Sequence, residues 1–138
     1  IIHLVVYPTP PVFCAEGIGM KNLIRLEEAA MLGLSIYLFS VMPYPWWMYA
    51  ALFLAPDISI LGYLVNNKVG AFTYNLFHHK GVAIVVYLAG LYGANGPLQL
   101  AGLILFGHSS MDRLFGYGLK YASSFKDTHL GPIGRNDR

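Results

Sequence analysis

The sequence is poor in charge, since only 12% of its 138 residues are Asp, Glu, Lys or Arg while 56% are hydrophobic. An ordinary water-soluble domain carries about 25% charged residues, so this chain has too few ionic groups to cover a surface that faces water. The composition therefore predicts an integral membrane protein with the lipid bilayer as a partner.

Cysteine is almost absent, which limits the kinds of site that the chain can build. Cys14 is the single cysteine, so an internal disulfide and a cysteine-based zinc site are both excluded. The net charge is only +2, and no basic run or aromatic RNA-binding motif accompanies it. We therefore expect no nucleic acid partner.

The first 19 residues differ from the rest of the chain. Pro8, Pro10 and Pro11 interrupt them, and they lack the basic start and long apolar stretch of a signal peptide. A typical initiation context, MKNLIRLEEAA, begins at Met20. We expect residues 1–19 to be a disordered leader, the native protein to begin at Met20, and residues 20–138 to form a single membrane domain.

Four apolar stretches are long enough to cross the hydrocarbon layer, which takes about 17 to 25 helical residues. They cover residues 26–42, 46–65, 69–92 and 97–115, and a tail over residues 116–138 follows. Short turns between helices favour antiparallel neighbours. The sequence therefore predicts an all-α membrane protein, an antiparallel four-helix transmembrane bundle. Ala29 and Gly33 predict close helix packing in the first span.

The distribution of lysine and arginine predicts the orientation. Two of these residues precede the first span, one lies between spans two and three, and five end or follow the fourth span. They are, in order, Lys21 and Arg25, then Lys68, then Arg113, Lys120, Lys126, Arg135 and Arg138. The turns at residues 43–45 and 93–96 carry no charge. By the positive-inside rule, both termini face the cytoplasm.

Ionisable side chains lie inside three of these spans at similar depth. Counting ~1.5 Å per residue places them all between mid-bilayer and the cytoplasmic edge, and they are Asp57, His78, His108 and Asp112. Ionisable groups at that depth cost a few kcal/mol each unless they are paired, hydrated or bound to a cation. We predict that the four converge inside the bundle and hold zinc, manganese or iron. The alternative is a metal-free hydrogen-bonded cluster.

A second set of polar residues is predicted to surround this site or to line its cytoplasmic rim: Glu28, Asn75, Arg113, Asp127 and His129. Asn75 lies three residues before His78, on the same helix face. Arg113 is interpreted as a cytoplasmic anchor or as a partner of Glu27 or Glu28. Asp127 and His129 either cap the mouth of the site or belong to a solvated tail.

Five blocks of sequence resemble the signature of one family of small bacterial membrane proteins. The blocks are RLEE (25–28), LAPDISILGY (54–63), YNLFHH (74–79), GHSSMDRLFGYGLKY (107–121) and FKDTHLGPIG (125–134). Their order and their coverage of about residues 23–134 make the chain similar to the family catalogued as domain of unknown function 4260. The resemblance implies a multi-pass protein of the bacterial inner membrane and implies no mechanism.

A much weaker similarity rests on His108 and Asp112 alone. Their H-x-x-x-D spacing on a membrane helix is similar to membrane-bound metal-dependent hydrolases related to zinc phospholipase C. The residues favour the same chemistry, with both histidines and Asp57 as metal ligands and Asp112 as ligand or orienting base. Asp57 and Asp112 are then the catalytic carboxylates of a hydrolase acting on a lipid or phosphoester at the cytoplasmic leaflet.

Two other functions stay open. Acids and histidines staggered through a helical bundle also build proton or cation pathways, although the apolar residues 82–93 favour a pocket open on one side. In a chain of this length, such a pathway would need a homo-oligomer. The third function is a non-catalytic accessory subunit, in which the polar layer only fixes the register of the helices.

Overall fold

Residues 19–134 are described by a computed structural model of the chain. The elements in order are α1 (Met20–Ser40), α2 (Trp46–Leu52), a 3-10 helix (Ala55–Leu64), α3 (Asn67–His78), α4 (Lys80–Tyr92) and α5 (Gly96–Phe115). Within this range there is no β-strand, only an isolated antiparallel bridge between Lys120 and Thr128. The all-α prediction is confirmed, whereas the predicted disorder of the leader falls outside the described range.

Local sequence signals explain where the helices begin and end. The side chains of Asn66 and Asn95 each accept a hydrogen bond from the backbone N–H three residues later, at 2.9 and 3.0 Å, and so cap α3 and α5. Pro97 lies in the first turn of α5, where a missing N–H costs nothing. Gly116 adopts a left-handed conformation with φ of 92° and ends α5.

The predicted second span is not α-helical throughout. α2 ends at Leu52, and a 3-10 helix follows from Ala55 to Leu64. Pro56 has no N–H to donate, so the α-helical hydrogen-bond pattern cannot continue through it. The Ser59 hydroxyl donates to the Pro56 carbonyl at 2.7 Å within this segment. Asp57 consequently lies in the first turn of the 3-10 helix.

The prediction of one unbroken helix over residues 69–92 is wrong at His79. There the backbone leaves the helical conformation, with φ of −91° and ψ of 115°, and separates α3 from α4. The imidazole Nδ1 of His79 accepts a hydrogen bond from the Val82 N–H at 3.3 Å and so caps α4. The break places His78 at the very end of α3.

Helix α5 lies at the centre of the fold, packed against α4 and α1, while the 3-10 helix packs on α3. The buried apolar cluster is formed by Phe39, Tyr49, Leu100, Leu103 and Ile104. Contact between α4 and α5 is close because Gly102 has no side chain. A Cβ atom at Gly102 would lie 2.5 Å from the backbone nitrogen of Tyr87.

Large apolar side chains stay exposed on every described helix, including Leu34, Trp47, Leu61, Phe72, Val85 and Leu98. Extensive exposed apolar surface is typical of a protein that contacts a membrane or another protein. One stretch of the described chain, Trp46–Leu64, is long and apolar enough to cross a membrane, whereas α4 is apolar but only 13 residues long. The four-span arrangement and the orientation of the termini stay predictions.

Candidate metal centre

Four side chains from three elements meet at one point. Asp57 comes from the 3-10 helix, His78 from the end of α3, and His108 and Asp112 from α5, and one ligand atom of each lies within 4.8 Å of all the others. Both imidazoles are fully buried and the Asp112 side chain is 11% exposed, but the Asp57 side chain is 42% exposed. The cluster is therefore accessible at Asp57 and closed around the other three residues.

A backbone carbonyl fixes the orientation of each imidazole. His78 Nδ1 donates to the Tyr74 carbonyl at 2.8 Å, and His108 Nδ1 donates to the Phe53 carbonyl at 2.7 Å. Because a carbonyl oxygen can only accept, both Nδ1 atoms carry a proton, and in the neutral rings both Nε2 atoms keep a free lone pair. Metal-bound histidines are commonly oriented by such a bond from their other nitrogen.

The two Nε2 atoms face each other at 3.1 Å. Asp57 Oδ1 lies 3.3 Å from the Nε2 of His78 and 3.2 Å from that of His108. The Asp112 oxygens lie 3.4 and 3.6 Å from the same two nitrogens. Two lone pairs and two carboxylates that point at one another repel unless a proton or a cation lies among them. The cluster is therefore suited to binding positive charge.

The separations between the two imidazole nitrogens and the carboxylate oxygens around them are close to the edge of a small coordination shell. Ligands at ~2.0–2.1 Å from a tetrahedral ion lie about 3.3 Å from one another, and the five separations above run from 3.1 to 3.6 Å. Imidazole nitrogen and carboxylate oxygen are suitable ligands for zinc, manganese and iron. The four residues could thus hold a metal ion without rearrangement of the backbone.

Tyr74 belongs to this site, although the sequence analysis did not identify it. Its hydroxyl donates to Asp112 Oδ2 at 2.9 Å, and its ring stacks on the imidazole of His78 with centroids 3.8 Å apart and planes 10° apart. Tyr74 therefore orients one carboxylate and one imidazole. Its position four residues before His78 on α3 is a signal that helical periodicity could have provided.

Asn75 attaches the tail to α3 and does not reach the cluster. Its side-chain amide donates to the Lys120 carbonyl at 2.8 Å and accepts from the Lys120 N–H at 2.7 Å. The buried ammonium of Lys120 lies 4.5 Å from the ring centre of Tyr74. Burial lowers the pKa of Lys120, although the carboxylates of Asp112 and Asp57 act in the opposite direction. The tail thus places a positive charge near the acids of the site.

Arg113 contacts backbone carbonyls and does not pair with Glu28, which forms an ion pair with Lys80 of α4. The Arg113 guanidinium donates to the carbonyl of His78 at 3.0 Å and to that of Tyr117 at 2.9 Å. In a continuous helix the His78 carbonyl would accept from the N–H four residues later, but that N–H is bonded to His79. The break between α3 and α4 therefore frees the His78 carbonyl for Arg113.

The two predicted rim residues of the tail stabilise the tail itself. Asp127 accepts a hydrogen bond from the Ser123 hydroxyl at 2.8 Å, and His129 Nδ1 accepts one from the Leu119 N–H at 2.8 Å. Burial lowers the pKa of His129, and the positive charge of Arg113 lowers it further. The structure does not bring Asp127 or His129 into the four-residue cluster.

This chain belongs to the family described as a domain of unknown function (DUF4260), whose model matches residues 21–133. The family resemblance inferred from the five sequence blocks is thereby confirmed. No curated protein and no solved structure matches the chain. The weaker similarity to zinc-dependent hydrolases accordingly stays a hypothesis.

Proposed function

We propose that this DUF4260 protein binds a divalent metal ion within a membrane-embedded helical bundle and uses it to hydrolyse a lipid or another phosphoester at the cytoplasmic leaflet. The observation that carries the proposal is the pair of Nε2 atoms 3.1 Å apart, surrounded by two carboxylates. One cation at that point would offset the cost of removing several polar ligands from water.

The different burial of the four ligands supports a division of roles. His78, His108 and Asp112 are buried and supply the three protein ligands that a hydrolytic metal site typically has. Asp57 lies on the accessible side, where such a site keeps a position for water and needs a group that accepts a proton. We assign Asp57 this role beside the metal, and Asp112 the role of a ligand oriented by Tyr74.

The proposed reaction is the addition of water to a phosphoester. A metal ion held by these ligands would supply the Lewis acidity that activates water, since such ions lower the pKa of a coordinated water to about 7. Asp57 would accept the proton of the attacking water as its oxygen adds to phosphorus, the P–O bond to the leaving alcohol would break, and the departing oxygen would take that proton from Asp57. The products are an alcohol and a phosphate with one ester bond fewer.

The membrane part of the proposal is supported by the apolar stretch Trp46–Leu64 and by the exposed apolar side chains of the other helices. Four spans with cytoplasmic termini would place the cluster in the inner half of the bilayer. A reporter that is active only in the periplasm, fused after residue 138, should stay silent. Activity of that fusion would overturn the proposed orientation.

Elemental analysis tests the metal site directly. Protein purified in mild detergent without chelator should contain about one zinc, manganese or iron per chain. His108→Ala and Asp112→Asn should each remove most of it, because the loss of one ligand weakens metal binding strongly, whereas Asp57→Asn should keep the metal and lose hydrolysis. Matched controls are His79→Asn, which keeps a helix-capping side chain, and Asp127→Asn in the tail, and both should retain the metal.

The outcomes separate the candidate functions. Folded protein that takes up none of the three metals on reconstitution would overturn both the metal site and the hydrolase. Bound metal without hydrolysis of phospholipids or soluble phosphoesters would leave a metal-binding accessory subunit. Proton or cation flux through vesicles that contain the protein, abolished by Asp57→Asn, would instead support the pathway.

A further inference from the structure

A cavity of about 470 Å³ lies between the start of α1, the end of α5 and the tail. The residues that line it include Lys21, Arg25, Arg113, Tyr117 and Gly131, and no aspartate or glutamate is among them. This volume is within the range of small-molecule sites. Because Arg25 and Arg113 contribute positive charge and the described lining residues include no acid, the cavity favours anions.

The two arginines have donors left for a ligand. Arg113 is half-buried and donates one N–H to each of two carbonyls, those of Tyr117 and His78, which leaves three of the five guanidinium N–H groups. The side chain of Arg25 forms no hydrogen bond or ion pair with the described residues. Guanidinium groups match the spacing of two phosphate oxygens, which makes phosphate the anion that these side chains suit best.

The two helix ends beside the cavity act differently on an anion. The C-terminal end of α5 contributes negative potential, which is reduced because the Asp112 carbonyl accepts from the Tyr117 N–H at 2.7 Å and the Arg113 carbonyl from the Gly116 N–H at 3.1 Å. α1 begins next to the cavity and has no acidic residue in its first turn. Its dipole therefore adds positive potential of the same sign as the two arginine side chains.

Arg113 connects this cavity to the metal centre. It follows Asp112 directly in α5, and its Nη2 atom donates to the carbonyl of His78 at 3.0 Å. An anion held by Arg113 would thus be bound by a residue that contacts one metal ligand and neighbours another.

We propose that the cavity binds a phosphate ester through its phosphate group and is the site beside the metal centre at which the substrate of the proposed hydrolase first binds. The substrate role rests on the proposed function above, whereas phosphate binding rests on the cavity alone. The ligand is a phosphate monoester or diester, carried either by a lipid headgroup or by a soluble molecule.

Phosphate binding should be measured on full-length protein in detergent after treatment with chelator, so that no metal contributes. The probes are inorganic phosphate, glycerol phosphate and detergent micelles that contain phosphatidic acid, with diacylglycerol micelles as the uncharged reference. Binding to at least one phosphate probe should be at least tenfold weaker in K21Q/R25Q than in the wild type. The matched control K68Q/K126Q removes the same charge from exposed side chains outside the cavity and should bind like the wild type.

The probes distinguish the source of the phosphate group. Binding of phosphatidic acid alone, weakened in K21Q/R25Q, would support a lipid headgroup, and comparable binding of glycerol phosphate would support a soluble ester. Equal binding in the two double variants, or no binding of any phosphate probe by folded wild-type protein, would overturn the proposal. Metal content should be measured before chelation in the same preparations, because this distinguishes failure of the hydrolase proposal from failure of phosphate binding in the cavity. Protein that contains no metal but still binds phosphate would disprove only the hydrolase.

Discussion

The two halves of α5 are both well buried and chemically opposite. In residues 96–105 the large buried side chains are apolar, whereas in residues 106–115 the buried side chains are polar, namely His108, Ser109, Ser110 and Asp112. Close packing of apolar groups stabilises the fold, but buried ionisable groups cost free energy unless they are paired or bind an ion. The first half therefore holds the helices together, and the second half carries a site at the expense of stability.

The largest difference between the two halves should be their response to metal. A protein that binds an ion only when folded gains ~2.7 kcal/mol in free energy of unfolding at a metal concentration 100-fold above the Kd. Asp112→Asn should lose most of this gain, and without metal it should be at least as stable as the wild type, because it removes one buried negative charge.

Unfolding measured with and without metal tests this prediction, with Asp127→Asn as the control that keeps the full gain. An equal gain in Asp112→Asn and in the wild type would show that Asp112 does not bind the metal. The proposed difference between the two halves of α5 would then be wrong.

The convergence of the cluster could be predicted because its signals lie in short stretches of sequence. The spacing of His108 and Asp112 places both on one face of a helix. The distance of Asp57 and His78 from the ends of their apolar stretches then gives a similar depth for all four. Both arguments use helical rise and the cost of unpaired ionisable groups. The depth argument assumed unbroken α-helices and stays a prediction, since Asp57 lies in a 3-10 helix and α3 ends at His78.

The break at His79 could not be predicted in the same way. Residues 82–92 continue the apolar pattern without interruption, so hydropathy indicates one long span. The helix ends because the His79 imidazole replaces a backbone acceptor for the Val82 N–H, and Arg113 then bonds the carbonyl that becomes free. Such a contact between distant parts of the chain leaves no local signal, and the same holds for the bonds between Asn75 and Lys120.

In the first half of α5, the second largest effect is expected at Gly102. A Cβ atom there would lie 2.5 and 2.6 Å from backbone atoms of Tyr87, so Gly102→Ala should lower the free energy of unfolding by ~2 kcal/mol through the forced separation of α4 and α5. The metal content of the folded fraction should not change.

Gly33→Ala is the matched control for this substitution. A Cβ atom at Gly33 would meet no atom within 4 Å. The close helix packing predicted from Ala29 and Gly33 is therefore not seen at Gly33 among the described helices of this chain. Alanine also favours a helix more than glycine does, and this variant should be at least as stable as the wild type. A similar loss of stability in both variants would mean that packing of α4 on α5 does not hold the first half.

Tyr74 offers a finer test of the second half. Tyr74→Phe removes the hydroxyl that orients Asp112 but keeps the ring that stacks on His78, so metal affinity should fall about tenfold. Tyr63→Phe is the matched control, because the buried Tyr63 hydroxyl has no hydrogen-bond partner in the described part of the chain. Competition with a chelator of known affinity measures both variants, and equal affinities would show that Tyr74 has no role in positioning the ligand.

The smallest effect is expected in the tail that follows the second half of α5. His129 Nδ1 accepts the Leu119 N–H at 2.8 Å, which only an unprotonated nitrogen can do, and burial and Arg113 hold the pKa of His129 below its ordinary value of 6.5. Above pH 6.5 the imidazole is neutral in both folded and unfolded chains. As the pH falls through 6.5, the unfolded chain takes up a proton that the folded tail resists, so stability decreases until the folded pKa is passed.

Hydrogen exchange at the Leu119 amide should therefore become less protected, relative to amides in the first half of α5, between pH 7 and pH 5 in metal-free protein. His129→Gln should remove this relative change, and its persistence in that variant would overturn the assignment of the pH dependence to His129.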